Sequence, residues 1–259
     1  MNTQEKIRAY CTQLRIPNIG ENFITEVENA AKAKLSYQDF LLRLLEQQAL
    51  TKIDTSINNA IKRAGFPVIK RLEEFDFTFQ PQMDEKLIRE LASLHFIKEA
   101  KNVALLGPPG VGKTHLAISL GIKACQARKQ VLFFTAEHLM QEMAAAEVSG
   151  SLNKLLLKLI KADLLIVDEL GYIELSSKAA RLFFKVISKR YENGSVIITS
   201  NKPFDEWGKI FLDDVLASAI LDRILHHCYP FFIQGKSYRM KNMTEQKKEK
   251  SKNQIINNV

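Results

Sequence analysis

The chain has 259 residues, of which 46% are hydrophobic and 25% charged, and its formal net charge is +8. This length and composition predict a globular protein with an adequate core, and they exclude a membrane-spanning class because apolar runs such as 103–106 are far too short to cross a bilayer. The amino end lacks the charged-then-apolar pattern of a secretory signal, so we expect a cytoplasmic protein. Three scattered cysteines predict reduced thiols rather than a disulfide framework.

The positive charge is concentrated at the two ends of the sequence. Residues 1–70 have 10 basic and 7 acidic side chains, residues 236–259 have 7 and 2, and the residues between them have 20 of each. Basic flanks of this kind favour a polyanionic partner, and nucleic acid is the first candidate. A solvated lysine-rich tail gives the same pattern.

The first 66 residues are predicted to form a small all-helical N-terminal domain. Helical periodicity covers 4–14, 21–34 and 37–64, and the last of these helices has an apolar stripe that needs a partner surface. The Gly-Phe-Pro sequence at 65–67 ends the pattern, so we place a domain boundary there. We expect this domain to serve contact with a partner, with DNA or within an assembly.

Residues 67–240 alternate between apolar strands and amphipathic helices. The predicted strands are 103–106, 131–135, 164–168, 196–199 and 231–233, and the predicted helices are 114–128, 137–146, 177–191 and 214–226. This alternation predicts an α/β fold in which a parallel sheet is flanked by helices on both faces. Ahead of these elements, aromatic and polar residues alternate over 75–79. After them, the Lys- and Asn-rich residues 241–259 are expected to form a disordered tail.

A glycine-rich segment at 107–114 reads GPPGVGKT and matches the P-loop pattern G-x-x-x-x-G-K-[ST]. It follows an apolar strand and opens a helix, which is the context that the motif requires. Glycines let backbone N–H groups surround phosphate oxygens, while Lys113 reaches the β- and γ-phosphates and Thr114 ligates Mg²⁺. The sequence therefore predicts an ATP and Mg²⁺ site. Its nucleotide-binding residues are predicted to be Gly107, Pro108, Pro109, Gly110, Val111, Gly112, Lys113, Thr114, His115 and Asp168.

Two carboxylates, Asp168 and Glu169, end the predicted strand 164–168. The carboxyl ends of parallel strands meet at one edge of a sheet, so both acids should face the phosphates. Asp168 is predicted to hold Mg²⁺ together with Thr114, and Glu169 to polarise the water that attacks the γ-phosphate. The alternative is that the two acids are a helix cap or solvated loop residues, and the P-loop beside them argues against it.

The predicted strand 196–199 also ends in polar residues and should lie beside the carboxylate strand. Asn201, just beyond it, is predicted to sense or position the attacking water. The predicted catalytic set in one subunit is thus Lys113, Glu169 and Asn201.

Two further segments resemble one protein family. The sequences TSNKPFDEW at 199–207 and AILDRILHH at 219–227 resemble the IstB family, AAA+ helper ATPases of insertion-sequence transposition that are close to the DnaC helicase loaders and DnaA initiators. The resemblance implies an ATPase that assembles as a homo-oligomer on duplex DNA and recruits or activates a cognate transposase. A DnaC-like helicase loader is the alternative, followed by a small-molecule kinase and by a DNA clamp that binds nucleotide without hydrolysing it.

The resemblance also implies an arginine finger that acts across a subunit interface. Arg223 matches that arginine, and Arg190 is a weaker alternative. An ordinary ion pair on its own helix is the structural alternative for Arg223. Few residues remain after 233 for the usual AAA+ lid, and Arg239 is left without a role.

The resemblance also implies an additional helical element between the second predicted strand and the carboxylate strand; residues 141–162 are available for it, and DNA contacts are predicted there. Lys154, Lys158 and Lys161 fall at helical spacing, opposite a set of leucines, as phosphate-contacting side chains on a helix would. A solvated helix face has the same pattern.

A short run at 226–228, His-His-Cys, could suggest a metal site. Adjacent helical residues diverge by about 100°, however, and no remote ligand is evident in the sequence. The run is therefore predicted to pack in the core or at an interface.

Overall fold

The computed structural model describes residues 1–238, so the predicted tail at 241–259 and Arg239 lie outside the described residues. The chain divides into two compact units, Met1–Asn59 and a second that begins at Ala60. This division falls several residues before the boundary predicted at residue 66. The difference arises because the last residues of the third helix, including Ala60, Ile61 and Ala64, belong to the hydrophobic core of the second unit.

The first unit is helical, as predicted. It contains α1 (Thr3–Gln13), α2 (Pro17–Lys32) and most of α3 (Tyr37–Ala64). Helix α2 begins with proline, which suits the first turn because its missing N–H would have no partner there. An ion pair of 2.9 Å between Arg43 and Glu26 connects α3 to α2.

The second unit is built around a five-stranded parallel sheet. Its strands are β1 (Asn102–Leu106), β2 (Val131–Thr135), β3 (Leu164–Leu170), β4 (Ser195–Ser200) and β5 (Cys228–Phe232), in the order β2-β3-β4-β1-β5. Its helices are α4 (Glu85–Leu91), α5 (His95–Lys98), α6 (Lys113–Gln126), α7 (Ala136–Val148), α8 (Leu152–Lys161), α9 (Ser177–Arg190), α10 (Trp207–Phe211) and α11 (Asp214–Leu225). The predicted α/β fold is confirmed, and so is the placement of β4 between the carboxylate strand β3 and the P-loop strand β1.

Helices cover both faces of the sheet because successive strand residues point to opposite sides. In β3, Ile166 contributes to a core formed with α4, α5 and α6, whereas Val167 contributes to a second core formed with α7 to α11. Both side chains are fully buried. The middle of the sheet is therefore apolar, and the polar side chains of the strands lie at the strand ends.

Two segments differ from the simplest interpretation of their patterns. The alternating stretch 75–79 forms no strand; Phe77–Phe79 is a 3₁₀ turn in which the Asp76 side chain accepts a hydrogen bond from the Phe79 N–H. Strand β5 begins earlier than predicted, at Cys228, because it pairs with β1 from Asn102 onward. The predicted element at 141–162 consists of the end of α7 followed by α8.

Among the described residues, no helix is both long enough and apolar enough to cross a membrane. The three cysteines, Cys11, Cys125 and Cys228, are free thiols. Burial raises the pKa of Cys125 to about 11 and that of Cys228 to about 12, so both remain protonated near neutral pH.

Candidate functional site

A cavity of about 530 Å³ lies at the carboxyl ends of β1, β3 and β4. The P-loop contributes residues 109–115 to its wall, and the strand ends contribute Glu169 and Thr199. The opposite wall comes from residues 68–80, which we call the front segment, and from Tyr238. The sheet edge predicted to carry the chemistry thus lies in a partly open pocket that is lined by both polar and aromatic residues.

The P-loop has the backbone conformation that its glycines permit. Gly112 has a φ of 105° and stands immediately before the first residue of α6. A Cβ atom there would lie 2.6 Å from Cε2 of Phe75, in the front segment, so a larger residue would push against the pocket wall as well as strain the backbone. The N-terminus of α6 therefore faces the cavity with free space for an anion.

The Lys113 side chain is 7% exposed, and its ammonium group contacts the main chain of the P-loop. Its Nζ donates hydrogen bonds to the carbonyl oxygens of Gly107 at 2.7 Å and Pro108 at 2.9 Å. Both acceptors are uncharged. A negatively charged phosphate oxygen would therefore compete effectively with them for the ammonium group. This is the position that a phosphate-binding lysine requires.

Asp168 is the polar centre of the site. Its Oδ1 accepts hydrogen bonds from Thr114 Oγ1 at 3.0 Å and from Thr199 Oγ1 at 2.5 Å. Burial raises the pKa of Asp168, and the bonds from Thr199 and Thr114 with the charge of Lys113 oppose that rise. The carboxylate is therefore desolvated and favourably placed to receive a cation.

The residues present fit Mg²⁺. Thr114 Oγ1 and Asp168 Oδ1 are hard oxygen donors 3.0 Å apart. Neighbouring ligands of an octahedral ion with bonds of about 2.1 Å have that same separation. The ion itself would contribute positive charge opposite the phosphate oxygens.

Glu169 lies in the cavity wall because the end of β3 is irregular. Its φ is 60°, in the left-handed region, and the pairing of β3 with β4 shifts register between Val167 and Leu170. The backbone N–H of Glu169 donates to Thr199 Oγ1 at 2.9 Å, which holds the irregular residue in place. A single threonine hydroxyl thus fixes both Asp168 and Glu169.

Asn201 is not among the cavity-lining residues, although it was predicted to position water there. Its Oδ1 is buried and has no hydrogen-bond partner within residues 1–238. Thr199, two residues earlier, is the side chain of β4 that reaches the cavity. The sequence signal for Thr199 is weak, because one threonine at the end of a buried strand is compatible with ordinary packing.

The two arginine candidates have different environments. Arg190 is 1% exposed, and its guanidinium donates to main-chain oxygens that include Leu159 at 2.6 Å and Ser195 at 2.7 Å. A side chain buried and bonded in this way cannot reach a neighbouring molecule, so the alternative that Arg190 is the trans finger is wrong.

Arg223 is half-buried on α11 and does not line the cavity of its own chain. Its guanidinium carbon lies 4.9 Å from the centre of the Phe184 ring, and its Nη1 donates to the Ala219 carbonyl at 2.8 Å. Neither contact is an ion pair with a carboxylate. The side chain is therefore held in one place with part of its surface accessible.

His115 and the three lysines of α8 are further residues that the sequence predicted for a functional site. His115 lines the cavity, and one of its ring nitrogens lies 2.8 Å from the Arg71 carbonyl oxygen. Lys154, Lys158 and Lys161 are exposed on α8, away from the buried leucines of that helix.

Sequence reasoning missed the front segment and Tyr238. The rings of Phe79 and Tyr238 meet edge to face with centroids 5.2 Å apart, and the Tyr238 N–H donates to the Gly110 carbonyl at 2.9 Å. Gln80 donates from Nε2 to the Lys236 carbonyl at 3.3 Å. The aromatic residues at 75–79 were the available signal, but their role depends on contacts with residues more than 150 positions away.

The sequence matches a known protein family and is similar to named proteins of insertion sequences. A family model described as IstB-like ATP binding protein matches residues 9–246. A Geobacillus stearothermophilus protein, named as an ATP-binding protein of insertion sequence IS5376, is 44% identical over 251 residues, which are 97% of this chain and 100% of that protein. A Pseudomonas aeruginosa protein, named as an ATP-binding protein of insertion sequence IS21, is 44% identical over 91% of this chain and 89% of its own.

Solved structures share the fold of the second unit. DnaI matches with a TM-score of 0.53 and 24% identity, over 64% of this chain and 91% of its own. AMPPCP-bound DnaA from Aquifex aeolicus matches with a TM-score of 0.57 and 20% identity, over 71% of this chain and 56% of its own. The fold is that of these AAA+ proteins, and on the family match and the two relatives the chain belongs to the family of IstB-like ATP binding proteins of insertion sequences.

Proposed function

We propose that the protein is an ATP-hydrolysing, DNA-binding helper of transposition. In this proposal it assembles as an AAA+ homo-oligomer on duplex DNA and recruits or activates a cognate transposase. The observation that supports hydrolysis most directly is the arrangement of Asp168 and Glu169 around one threonine hydroxyl beside the P-loop. A protein that only bound nucleotide would not need a second carboxylate at that edge.

Nucleotide binding divides between the two walls of the cavity. The phosphates bind the backbone N–H groups of residues 110–114, at the positive end of α6, and pair with Lys113. The base and sugar occupy the side lined by the front segment, where Val68, Phe75 and Phe79 supply apolar and aromatic surface.

Within one subunit, each polar group has a separate role. Thr114 and Asp168 hold Mg²⁺, and Glu169 accepts a proton from the attacking water in the transition state. Thr199 is a positioning residue that orients the Asp168 carboxylate and holds the main chain of Glu169. Asn201 does not line the cavity, and in this proposal it senses the nucleotide indirectly, through the carboxyl ends of β3 and β4.

The second half of the catalytic site comes from a neighbouring subunit. Arg223 provides positive charge to the transition state of the adjacent subunit's ATP, which explains why it lies outside the cavity of its own chain. Exposed apolar side chains on the same region, Leu212 at 58% and Val215 at 81%, support an interface there. ATP hydrolysis then depends on assembly.

Steady-state ATP hydrolysis tests this proposal directly. The hydrolysis rate per subunit should increase with protein concentration. Duplex DNA should lower the concentration at which this increase occurs, because subunits that bind the same duplex assemble more readily. The measurement is phosphate release over a range of protein concentrations, with and without a duplex. A rate per subunit that is independent of both concentration and DNA would contradict the shared site, and transfer of phosphate to an acceptor other than water would favour a kinase.

DNA contact is assigned to α8 because its exposed face has three lysines and no acidic residue. Lys154, Lys158 and Lys161 are exposed, whereas Lys178 on α9 is paired with Glu147 at 2.6 Å. Phosphate contacts of this kind bind without strong base preference. The basic residues in 1–70 and 236–259 add long-range attraction to the same polyanion.

Replacing the α8 lysines should reduce the salt dependence of DNA binding. The triple change Lys154→Gln, Lys158→Gln and Lys161→Gln should lower the slope of log affinity against log salt concentration by up to about 2.7, since each phosphate contact contributes about 0.9. Fluorescence anisotropy of a labelled duplex over a range of salt concentrations measures the slope. The matched control changes Arg181, Lys185 and Lys189 of α9 to Gln; an equal loss in both variants would assign the effect to net charge.

The partner proposal rests on the named relatives, which are insertion-sequence proteins. The exposed leucines of α3, among them Leu41 at 56% and Leu45 at 51%, give the first unit a surface for a partner or for assembly. Pull-down with the cognate transposase and, separately, with a replicative helicase distinguishes transposition from helicase loading.

A further inference from the structure

Three potential metal ligands meet at one edge of the second unit, away from the nucleotide cavity. They are Glu192, in the turn after α9, and His226 and His227, between the end of α11 and the start of β5. One carboxylate oxygen and one ring nitrogen of each histidine all lie within 4.8 Å of one another. None of the three lines the cavity or has a role in the proposed ATPase.

Two adjacent histidines diverge when both lie within a helix, but His226 and His227 both come after the last residue of α11. Helix α11 ends at Leu225, so His226 caps the helix and His227 already belongs to the approach to β5. The carbonyl of His227 accepts a hydrogen bond of 2.7 Å from the Asn102 N–H, next to the first pair between β1 and β5. The two rings consequently lie with centroids 4.2 Å apart instead of diverging.

The remote ligand that the sequence did not reveal is Glu192. It has a left-handed φ of 57°, just after the helix end that the buried Arg190 anchors. Nε2 of His227 lies 3.3 Å from Oε1 of Glu192. Around a tetrahedral Zn²⁺ with bonds of about 2.0 Å, neighbouring ligand atoms are also about 3.3 Å apart.

A tyrosine hydroxyl lies at the position where metal-binding histidines usually have a carboxylate, a carbonyl oxygen or a water as outer partner. The Tyr191 hydroxyl lies 2.6 Å from Nδ1 of His226, and the tyrosine ring stacks on both imidazoles. Such contacts fix the orientation of an imidazole before a metal arrives. Two imidazoles and one carboxylate form a ligand set that Zn²⁺ uses when one position stays open to water.

From this arrangement we infer that Glu192, His226 and His227 bind one Zn²⁺ ion. The ion joins the turn after α9 to the end of α11, three residues beyond Arg223. Its binding stabilises the folded chain, because a ligand that binds only the folded state raises the free energy of unfolding. The site is separate from the Mg²⁺ ligands Thr114 and Asp168, which are all oxygen donors.

The test is titration of the full-length chain, free of any histidine tag and of nucleotide, with ZnCl₂. Calorimetry should give one saturable site per chain in the wild type. Glu192→Gln and His227→Asn each remove a direct ligand and should each weaken it by at least the tenfold to a hundredfold that loss of an outer-shell partner costs. Zn²⁺ should raise the melting temperature of the wild type and have a smaller effect on both variants.

A matched control is available on α7. His138 and Glu142 form a comparably exposed pair at 3.6 Å that is not part of the three-ligand cluster. His138→Asn should therefore bind Zn²⁺ as the wild type does. Equal Zn²⁺ binding in the wild type, Glu192→Gln and His227→Asn, or no saturable site in the wild type, would overturn the inference. Circular dichroism of each variant before titration ensures that only folded chains are compared, and Glu192→Gln preserves the shape of an exposed side chain.

Discussion

Glu169→Gln is expected to lower the rate of ATP hydrolysis by about 10²–10⁴-fold while leaving ATP binding nearly unchanged, because a positioned general base contributes a factor of that size. Glutamine preserves the shape of the side chain and its place at the irregular end of β3, but it cannot accept the proton of the attacking water. The P-loop, Lys113 and the Thr114–Asp168 pair are untouched by the change. Single-turnover phosphate release and binding of a fluorescent ATP analogue measure the two quantities separately.

The control for this prediction is Glu174→Gln, which removes an exposed carboxylate on the loop after β3 that does not line the cavity. Its hydrolysis rate should equal that of the wild type. Equal and negligible phosphate release by the wild type and Glu169→Gln would instead identify the protein as a DNA clamp gated by nucleotide binding. Normal hydrolysis by Glu169→Gln would assign the general base to another residue.

The parts of the site that the sequence predicted are those encoded by short motifs in a regular element. The glycines of the P-loop allow its conformation, and Asp168 lies near the end of a strand whose preceding residues are all apolar. The alternation of strands and helices also predicted the flanked parallel sheet and placed β4 beside β3. In each of these cases, local sequence and the general geometry of parallel sheets were sufficient.

The parts that could not be predicted depend on contacts between distant residues. Thr199, rather than Asn201, reaches the cavity because pairing of β4 with β3 and a register shift decide which side chain faces inward. Arg190 appears in the sequence as a surface arginine of an amphipathic helix, yet it donates hydrogen bonds to carbonyl groups in the last turn of α8 and just after it. The closure of the front segment over the P-loop likewise depends on Tyr238 and Lys236, far along the chain.

Arg223→Ala is expected to lower ATP hydrolysis by about 10³-fold or more, since an arginine supplied in trans contributes 10³–10⁵ in related phosphoryl-transfer sites. Binding of ATP should persist, because Arg223 does not line the cavity of its own chain. Arg128→Ala, which removes an exposed arginine just beyond the C-terminal end of α6, should leave the rate unchanged. Loss of ATP binding in Arg223→Ala would show that the arginine acts within its own subunit.

Mixing two inactive variants distinguishes a shared site from a site within one chain. Lys113→Ala cannot bind the phosphates but retains Arg223, whereas Arg223→Ala retains an intact cavity. In a random equimolar assembly, about one quarter of the interfaces pair an intact cavity with an intact arginine, so about a quarter of the wild-type rate should return. The matched mixture of Lys113→Ala with Glu169→Gln behaves differently under the proposal, because every cavity there carries one defect whichever subunit lies beside it. Restoration in the first mixture and not in the second therefore requires Lys113 and Glu169 to act from one subunit and Arg223 from its neighbour, whereas inactivity of both mixtures would refute the shared site.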